Sequence, residues 1–558
     1  MDRSYPVEED GVQIMQVKVD NKYIWFPVQM GAGREKVNIY LLPDPEAEAV
    51  SYRAADREYP AEDAAEGLSA VTSAIPPEKL YEFDLPVVTG RVDFYAALCV
   101  EAYLGRTIHI SVDFPAEGIG SLGFHDQEPP DNTGIRPMLH FTSGCGWIND
   151  PNGLFFRDGT YHMYYQHNPY DTKWGNMHWG HALSNDLIHW KQQKTVLFPD
   201  EYGTVFSGSA LPDKDNITGH GWNTILYYYT AAGGTNQWSG SRKFTQRLAF
   251  STDGGATLQK DPDFELQAFD RENRDPKVFY HVRTRAYIMV LFFDGNDFGI
   301  YRSTTLDKWE LTQRLTLKGG WECPDLIELP VEGSDQKCWV FWTADGFYYP
   351  GTFDGFRFIP SGERKNAYIG AVPYAAQTFS GVAGRVISVS WLRISPPGKS
   401  FAGIMSVPSV LSLADTDSGL KVRITLPDEL VSRRVQRSQV RFAGQGRYAV
   451  SYVPDQAYEI CLYVGGRTSR ALYIAYCGHT LTVDFEKGCI LADTQEIFFE
   501  CCSFLDIDIL VDYEVIELRA QNDTLYYVFE NEQASLSGPV DVQLESDTEG
   551  TISVFDIK

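Results

Sequence analysis

The chain lacks any run of about 18 apolar residues, so no membrane-spanning helix is expected. It is short of positive charge: 48 Lys and Arg stand against 75 Asp and Glu, a net charge of −27. Such a chain suits neither nucleic acid nor an anionic membrane, and a neutral substrate is the easier ligand. Its nine cysteines show no metal spacing. Their odd number, with Cys501 and Cys502 adjacent, argues for thiols in a reducing compartment rather than a disulfide framework. Met1 to Asp10 has no basic-plus-apolar signal segment. The expectation is a cytoplasmic protein, with a secreted one trimmed of its leader as the alternative.

What is abundant is β-type sequence. The 558 residues are too many for one small core, so two or three domains are expected. Aromatic residues make up 14% of the chain, a composition that suits either sugar-stacking clefts or simply β-rich structure. Short strand-like segments fill residues 1–130, as at Val12 to Val19, Tyr23 to Val28, Val37 to Leu42 and Thr107 to Val112. Pro45 to Pro77 reads as a long loop or short helix, and Gln127 to Gly134 as a linker. An aromatic strand then recurs, beginning at Tyr161, Ile225, Tyr287, Trp339 and Val386, roughly fifty to sixty residues apart. Five such repeats, separated by turn signals such as Asp253-Gly254-Gly255, predict a five-bladed β-propeller over residues 131–405. One or two large sandwiches are the alternative. Alternating strands from Pro408 onward predict a C-terminal β-sandwich over 406–558.

Three acids stand in unusual contexts: Asp150 in Trp147-Ile148-Asn149-Asp150-Pro151-Asn152-Gly153, Asp275 in Arg274-Asp275-Pro276, and Glu322 in Trp321-Glu322-Cys323-Pro324. Proline fixes the backbone, and tryptophan supplies a flat apolar wall. Each acid precedes one of the recurring strands, so equivalent positions in successive blades would bring all three to the propeller axis. Two carboxylates across a scissile bond are the minimum for glycoside hydrolysis. Apolar neighbours would raise the pKa of Glu322, while Asn149 and Asn152 would keep Asp150 ionised and Arg274 would keep Asp275 ionised. His162, His167, His178, His181 and His189 cluster in sequence, but their spacing fits no common zinc pattern. Packing or hydrogen bonding is the expected role.

Together these motifs resemble glycoside hydrolase family 32, the invertases, inulinases and levanases. The resemblance runs from about His140 to the C terminus. It includes Tyr165-Gln166-His167-Asn168-Pro169, Trp174 to His181, Phe206-Ser207-Gly208-Ser209 and Trp321-Glu322-Cys323-Pro324-Asp325. It implies a five-bladed catalytic propeller with a C-terminal sandwich, agreeing with the reading above. It also implies Asp150 as nucleophile forming a fructosyl-enzyme, Glu322 as general acid/base and Asp275 as transition-state stabiliser. Asn149, Gln166, Trp174, Phe206, Ser207 and Arg274 match positions lining the fructose subsite. No metal or organic cofactor is implied. Tyr374-Ala375-Ala376-Gln377 and Trp179-Gly180-His181-Ala182 look most like exo-acting fructanases. Departures include Phe206 where many members have Trp and Ala371-Val372-Pro373 ahead of Tyr374, which bear on the leaving-group side. The expected reaction is retaining release of terminal β-fructosyl units from fructans, fructo-oligosaccharides or sucrose. Transfer to a sugar acceptor is the alternative, and non-catalytic fructan binding or an inverting arabinan-type propeller enzyme are more distant ones.

Overall fold

A computed structural model describes residues 7–9, 12–43, 77–112, 122–130, 134–268, 272–443, 446–450, 453–465, 472–500, 502, 504–532, 536, 540–544 and 549–558. Most of the stretch from Pro45 to Pro77, and residues 131–133 of the expected linker, lie outside them. Strands dominate; the α-helix among the described residues is the four-residue turn Asp428–Val431.

Five antiparallel sheets in chain order make the propeller blades. The innermost strands are Gly146–Arg157, Thr204–Pro212, Arg274–His281, Asp325–Pro330 and Pro373–Thr378. The second strands are Thr160–Asn168, Ile225–Ala232, Ala286–Asp294, Lys337–Trp342 and Val386–Leu392. These are the five recurring aromatic segments. They read as apolar runs because a strand in mid-blade is covered on both faces by neighbouring blades. Ile225–Ala232, for example, is buried at every position.

Apolar clusters fill the gaps between blades, and the one between blades four and five runs on into the sandwich through Val515, Tyr526 and Val528. Phe155, Trp179, Tyr227 and Val205 fill the gap between blades one and two. Leu226, Tyr228, Met289 and Leu291 fill the next, and Ile288, Phe292, Leu326 and Phe341 the one after. Blade five meets blade one through Ile148, Met163, Phe379 and Ile387. The ring is tied there by the short strand Phe401–Ala402, which pairs parallel with Gly146 and Trp147.

Ser409–Ala414 and Lys421–Thr425 had been expected in the sandwich, beyond a boundary at 405. Ser409–Ala414 pairs instead on Val386–Leu392, and Lys421–Thr425 pairs on Ser409–Ala414 to complete the fifth blade. Their ordinary alternation is the same in a blade as in a sandwich, so only the pairing distinguishes the two. Beyond them, a seven-stranded and a six-stranded sheet pack over one core that includes Tyr458, Ile460, Leu481, Ile507 and Val554. Ahead of the propeller, a five-stranded and a three-stranded sheet enclose Ile24, Phe26, Val37, Ile39 and Ile110.

This N-terminal unit grips the loop between the second and third strands of blade one. Arg34 Nε donates to Asp171 Oδ2 at 2.7 Å, and its terminal nitrogens reach the Trp174 carbonyl at 3.3 Å. Asp84 and Asn176 exchange two hydrogen bonds of 2.8 Å, backbone to side-chain amide. Tyr170 from the same loop stacks on Phe83 with ring centres 3.8 Å apart.

Candidate active site

One backbone device recurs around the axis. In four of the five blades the innermost strand carries two residues opposite one on the second strand, a β-bulge. The bulged pairs are Asn149-Asp150, Phe206-Ser207, Asp275-Pro276 and Ala375-Ala376. A bulge bends its strand and re-aims the extra side chain. In blade four Glu322 and Cys323 sit just ahead of the strand Asp325–Pro330. Several of these residues are held in the left-handed region that non-glycine residues avoid: φ is +64° at Asp275, +43° at Glu322, +40° at Cys323 and +52° at Ala375. Each such residue costs of order 1 kcal/mol or more, and such strain clusters where side-chain placement matters.

The result is a convergent acid cluster. Asp150 Oδ2 accepts from Ser207 Oγ at 2.6 Å, and its Oδ1 accepts from Asn149 Nδ2 at 3.1 Å. Trp147 Nε1 in turn donates to Asn149 Oδ1 at 2.9 Å, which fixes the amide. Asp275 Oδ2 accepts from the backbone N–H of Cys323 at 3.0 Å. The Cys323 thiol lies 3.5 Å from both Asp150 Oδ2 and Asp275 Oδ2. Glu322 Oε1 accepts from Arg274 Nη2 at 2.7 Å and Nε at 3.1 Å, while its Oε2 accepts from Tyr374 Oη at 2.6 Å. The Arg274 guanidinium rests on the Phe292 ring, 4.6 Å from its centre.

The electrostatics differ from those expected. Burial pushes the Asp150 carboxyl above its ordinary value, and the Ser207 and Asn149 hydrogen bonds offset this only in part. Asp275 is also raised: burial, with Glu322 and Asp150 nearby, outweighs the charge of Arg274. Arg274 lowers the Asp275 pKa through its charge alone, because its side-chain hydrogen bonds go to Glu322 and to the Glu272 carbonyl. Asn152 does not touch Asp150 either; its Oδ1 accepts from the Gly208 N–H. Glu322 is not set among apolar groups alone. Both its oxygens have donors, and its side chain is 25% exposed.

Among the other expected residues, Gln166 is buried opposite the Asn149-Asp150 bulge and donates to Val205 O at 2.9 Å. Trp174 stands 52% exposed with its ring 5.9 Å from that of Phe206, which leads into Ser207. Cys323 and Tyr374 were not singled out as site residues. Their signals were adjacency to Glu322 and the Tyr-Ala-Ala-Gln segment. An oxygen of Asp150, an oxygen of Asp275 and Cys323 Sγ lie within 4.8 Å of one another, close enough to hold a cation. Burial beside three acids drives the thiol pKa well up, so it is a neutral donor rather than a thiolate ligand. His162 and His181 hydrogen-bond each other at 3.2 Å and stack with Phe155 and Tyr164. Burial lowers their pKa to about 4 and about 3, as befits packed neutral rings.

Residues 140–423, just over half of the chain, match the family described as glycosyl hydrolases family 32 N-terminal domain. A levanase of Bacillus subtilis is 34% identical over 367 residues, covering 60% of this chain and 52% of its own. An extracellular exo-inulinase of Meyerozyma guilliermondii is 34% identical over 326 residues, covering 52% of this chain and 61% of its own. The chain thus spans about half to three-fifths of the length of these curated relatives. Among solved structures, a Schwanniomyces occidentalis fructofuranosidase complexed with fructose superposes with TM-score 0.67 at 23% identity, covering 77% of this chain and all of the other. An Aspergillus awamori exo-inulinase superposes with TM-score 0.66 at 22% identity, covering 76% and 99%. These likenesses agree with the propeller-plus-sandwich fold.

Proposed function

The chain belongs to glycosyl hydrolase family 32, and on that premise we propose that it is a retaining β-fructosidase. It removes terminal β-D-fructofuranosyl units from fructans, fructo-oligosaccharides or sucrose through a covalent fructosyl-enzyme. The observation that carries this reading is the union at the axis of three acids from blades one, three and four, each already tied to a donor. Relatives named levanase, exo-inulinase and invertase support the substrate class.

In this reading an Asp150 oxygen bonds to the anomeric carbon as the bond to the leaving oxygen breaks. Glu322 gives its proton to that oxygen. Water then adds its oxygen to the same carbon, returns a proton to Glu322 and frees Asp150. Ser207 and Asn149 hold the nucleophile's oxygens in place. Asp275 faces positive charge building on the sugar ring, and burial strengthens that interaction. Arg274 and Tyr374 hold the two Glu322 oxygens in place for the acid role. Trp174 and Phe206 form an aromatic wall for substrate. A cytosolic setting completes the reading, supported by the absence of disulfides among the described cysteines. Secretion is the alternative, as some relatives are named extracellular.

Product analysis with sucrose, short inulin-type oligosaccharides and levan tests this directly. Fructose is expected as the sole small sugar released early from levan and inulin, and fructose with an equal amount of glucose from sucrose, with the anomeric configuration retained. Longer products growing with substrate concentration would move the reading to transfer, and inverted fructose would refute it. Glu322→Gln should lower sucrose turnover by about 10²–10⁴-fold and turnover of an aryl β-fructoside far less, since protonation matters least for good leaving groups. Equal losses on both substrates would remove Glu322 from the acid role.

A further inference from the structure

Outside the acid cluster, a cleft of about 680 Å³ opens at the seam between the N-terminal unit and blade one. The N-terminal side contributes Trp25, Arg91 and Tyr95; the propeller side contributes Gly144, Tyr170 and Gln192. The family match begins only at residue 140, so half of this cleft lies ahead of it. We propose that the cleft is a second carbohydrate site, which holds a β-fructan chain whose end is hydrolysed in the propeller. The proposal rests on the fructosidase reading for the identity of the sugar.

Four observations carry it. First, the walls are built rather than incidental. Trp25 stacks on His125 with ring centres 3.6 Å apart, and its Nε1 donates to Gln127 O at 2.9 Å, so the indole is locked. Gln192 Oε1 accepts the Gly144 N–H, joining two wall segments. The clamp of Arg34 and Asp84 on the blade-one loop holds the two sides of the seam together. Second, Tyr95 is 38% exposed beside Trp25, with ring centres 5.9 Å apart. Flat aromatic faces with polar edges suit the C–H faces and hydroxyls of a sugar. Third, the charged residues of the lining are mixed in sign: Arg91 and Lys194 line the cleft together with Asp93 and Glu128. A neutral polyhydroxylated ligand fits this lining, and the chain's net charge of −27 disfavours an anionic one. Fourth, one short loop joins the cleft to the catalytic mouth. Tyr170 lines the cleft, and Trp174, four residues on, stands beside Phe206. Four residues span at most about 14 Å, so one oligosaccharide of a few units reaches both places.

The test uses the full chain made inert by Asp150→Ala, run on native gels containing levan, inulin or dextran. Levan or inulin should retard it, and adding Tyr95→Ala with Arg91→Ala should weaken that apparent affinity about tenfold. Both side chains are exposed, so the fold should survive, and an unchanged melting temperature checks this. In the otherwise native enzyme the same pair should leave sucrose turnover unchanged while lowering kcat/KM on polymer. Equal retardation with and without the pair would overturn the proposal, as would no retardation of the parent, or equal Tyr95-dependent retardation by dextran. The two readings fail separately. Hydrolysis without cleft-dependent retardation sinks only the cleft. Cleft-dependent retardation by a protein whose native form hydrolyses no fructoside sinks only the enzyme reading.

Discussion

Two of the buried charge clusters among the described residues are built on opposite principles. At the propeller axis, Asp150, Asp275 and Glu322 crowd together with one cation, Arg274, and the two aspartates are pushed above their ordinary pKa by burial. Where propeller meets sandwich, His140 donates or accepts at both ring nitrogens, to Asp512 at 3.0 Å and Glu517 at 3.1 Å. Glu517 is bonded in turn by Arg519 at 2.6 Å. Here the charges balance, and backbone N–H groups of Met138, Leu139 and Val407 occupy the remaining acceptors. Burial alone would lower the His140 pKa, but its two carboxylate partners raise it to about 9; Glu517, against the same burial, is held down to about 2 by Arg519 and His140. A cluster that completes its own charge and hydrogen bonds serves the fold. One left with excess charge and strained backbone is poised for something that arrives from outside.

The sharpest break of this comparison is by single removals. Asp150→Ala should lower turnover by about 10⁴-fold or more, as loss of a nucleophile does. Its melting temperature should hold or rise, because a carboxyl destabilised by burial is gone. A folded Asp150→Ala protein with ordinary activity would end the nucleophile assignment, and a large drop in melting temperature would make the axis a structural cluster after all. His140→Ala should do the reverse. It strands Asp512 and Glu517, and breaking a buried pair in this way costs about 3–5 kcal/mol. Denaturant melts would register that loss, while turnover per folded molecule stays near the wild-type value. A near-neutral His140→Ala would show the cluster to be dispensable.

The same contrast explains what could be read in advance. The blades were legible because their second strands are covered on both faces and must be apolar and aromatic, a property each segment carries by itself. The three acids were legible from their Trp and Pro neighbours. The bulges were not, because two residues opposite one is a property of a pair of strands, and nothing in Phe206-Ser207 or Ala375-Ala376 announces it. The end of the fifth blade was hidden for the same reason. What the chain neighbours did not convey was the weight of burial, which raises the pKa of both Asp150 and Asp275 despite their polar and charged partners. Arg274 adjoins Asp275 in sequence but bonds Glu322, and Asn152 adjoins Asp150's motif but bonds Gly208. The His140 cluster joins residues more than 370 positions apart, beyond the reach of any local pattern.

The smallest expected effect separates the two clusters by pH. An aspartate whose folded pKa is raised favours its protonated form in the fold. Its contribution therefore declines as pH climbs from the unfolded value near 4 through the folded one, and the penalty is complete above that. Asp275→Asn removes this titration and should gain steadily on the wild type as pH climbs from about 4 through about 7. His140 has the opposite consequence for the alkaline side: its raised pKa gives stability that is whole below about pH 6.5 and fades as pH passes about 9. Asp275→Asn should leave that alkaline fall untouched, since the residues it depends on are at the sandwich seam. Stability measured by denaturant across pH for wild type and Asp275→Asn decides the matter. Superimposable profiles would mean that Asp275 is as well compensated as Asp512, and the distinction between a poised cluster and a completed one would then rest on Asp150 alone.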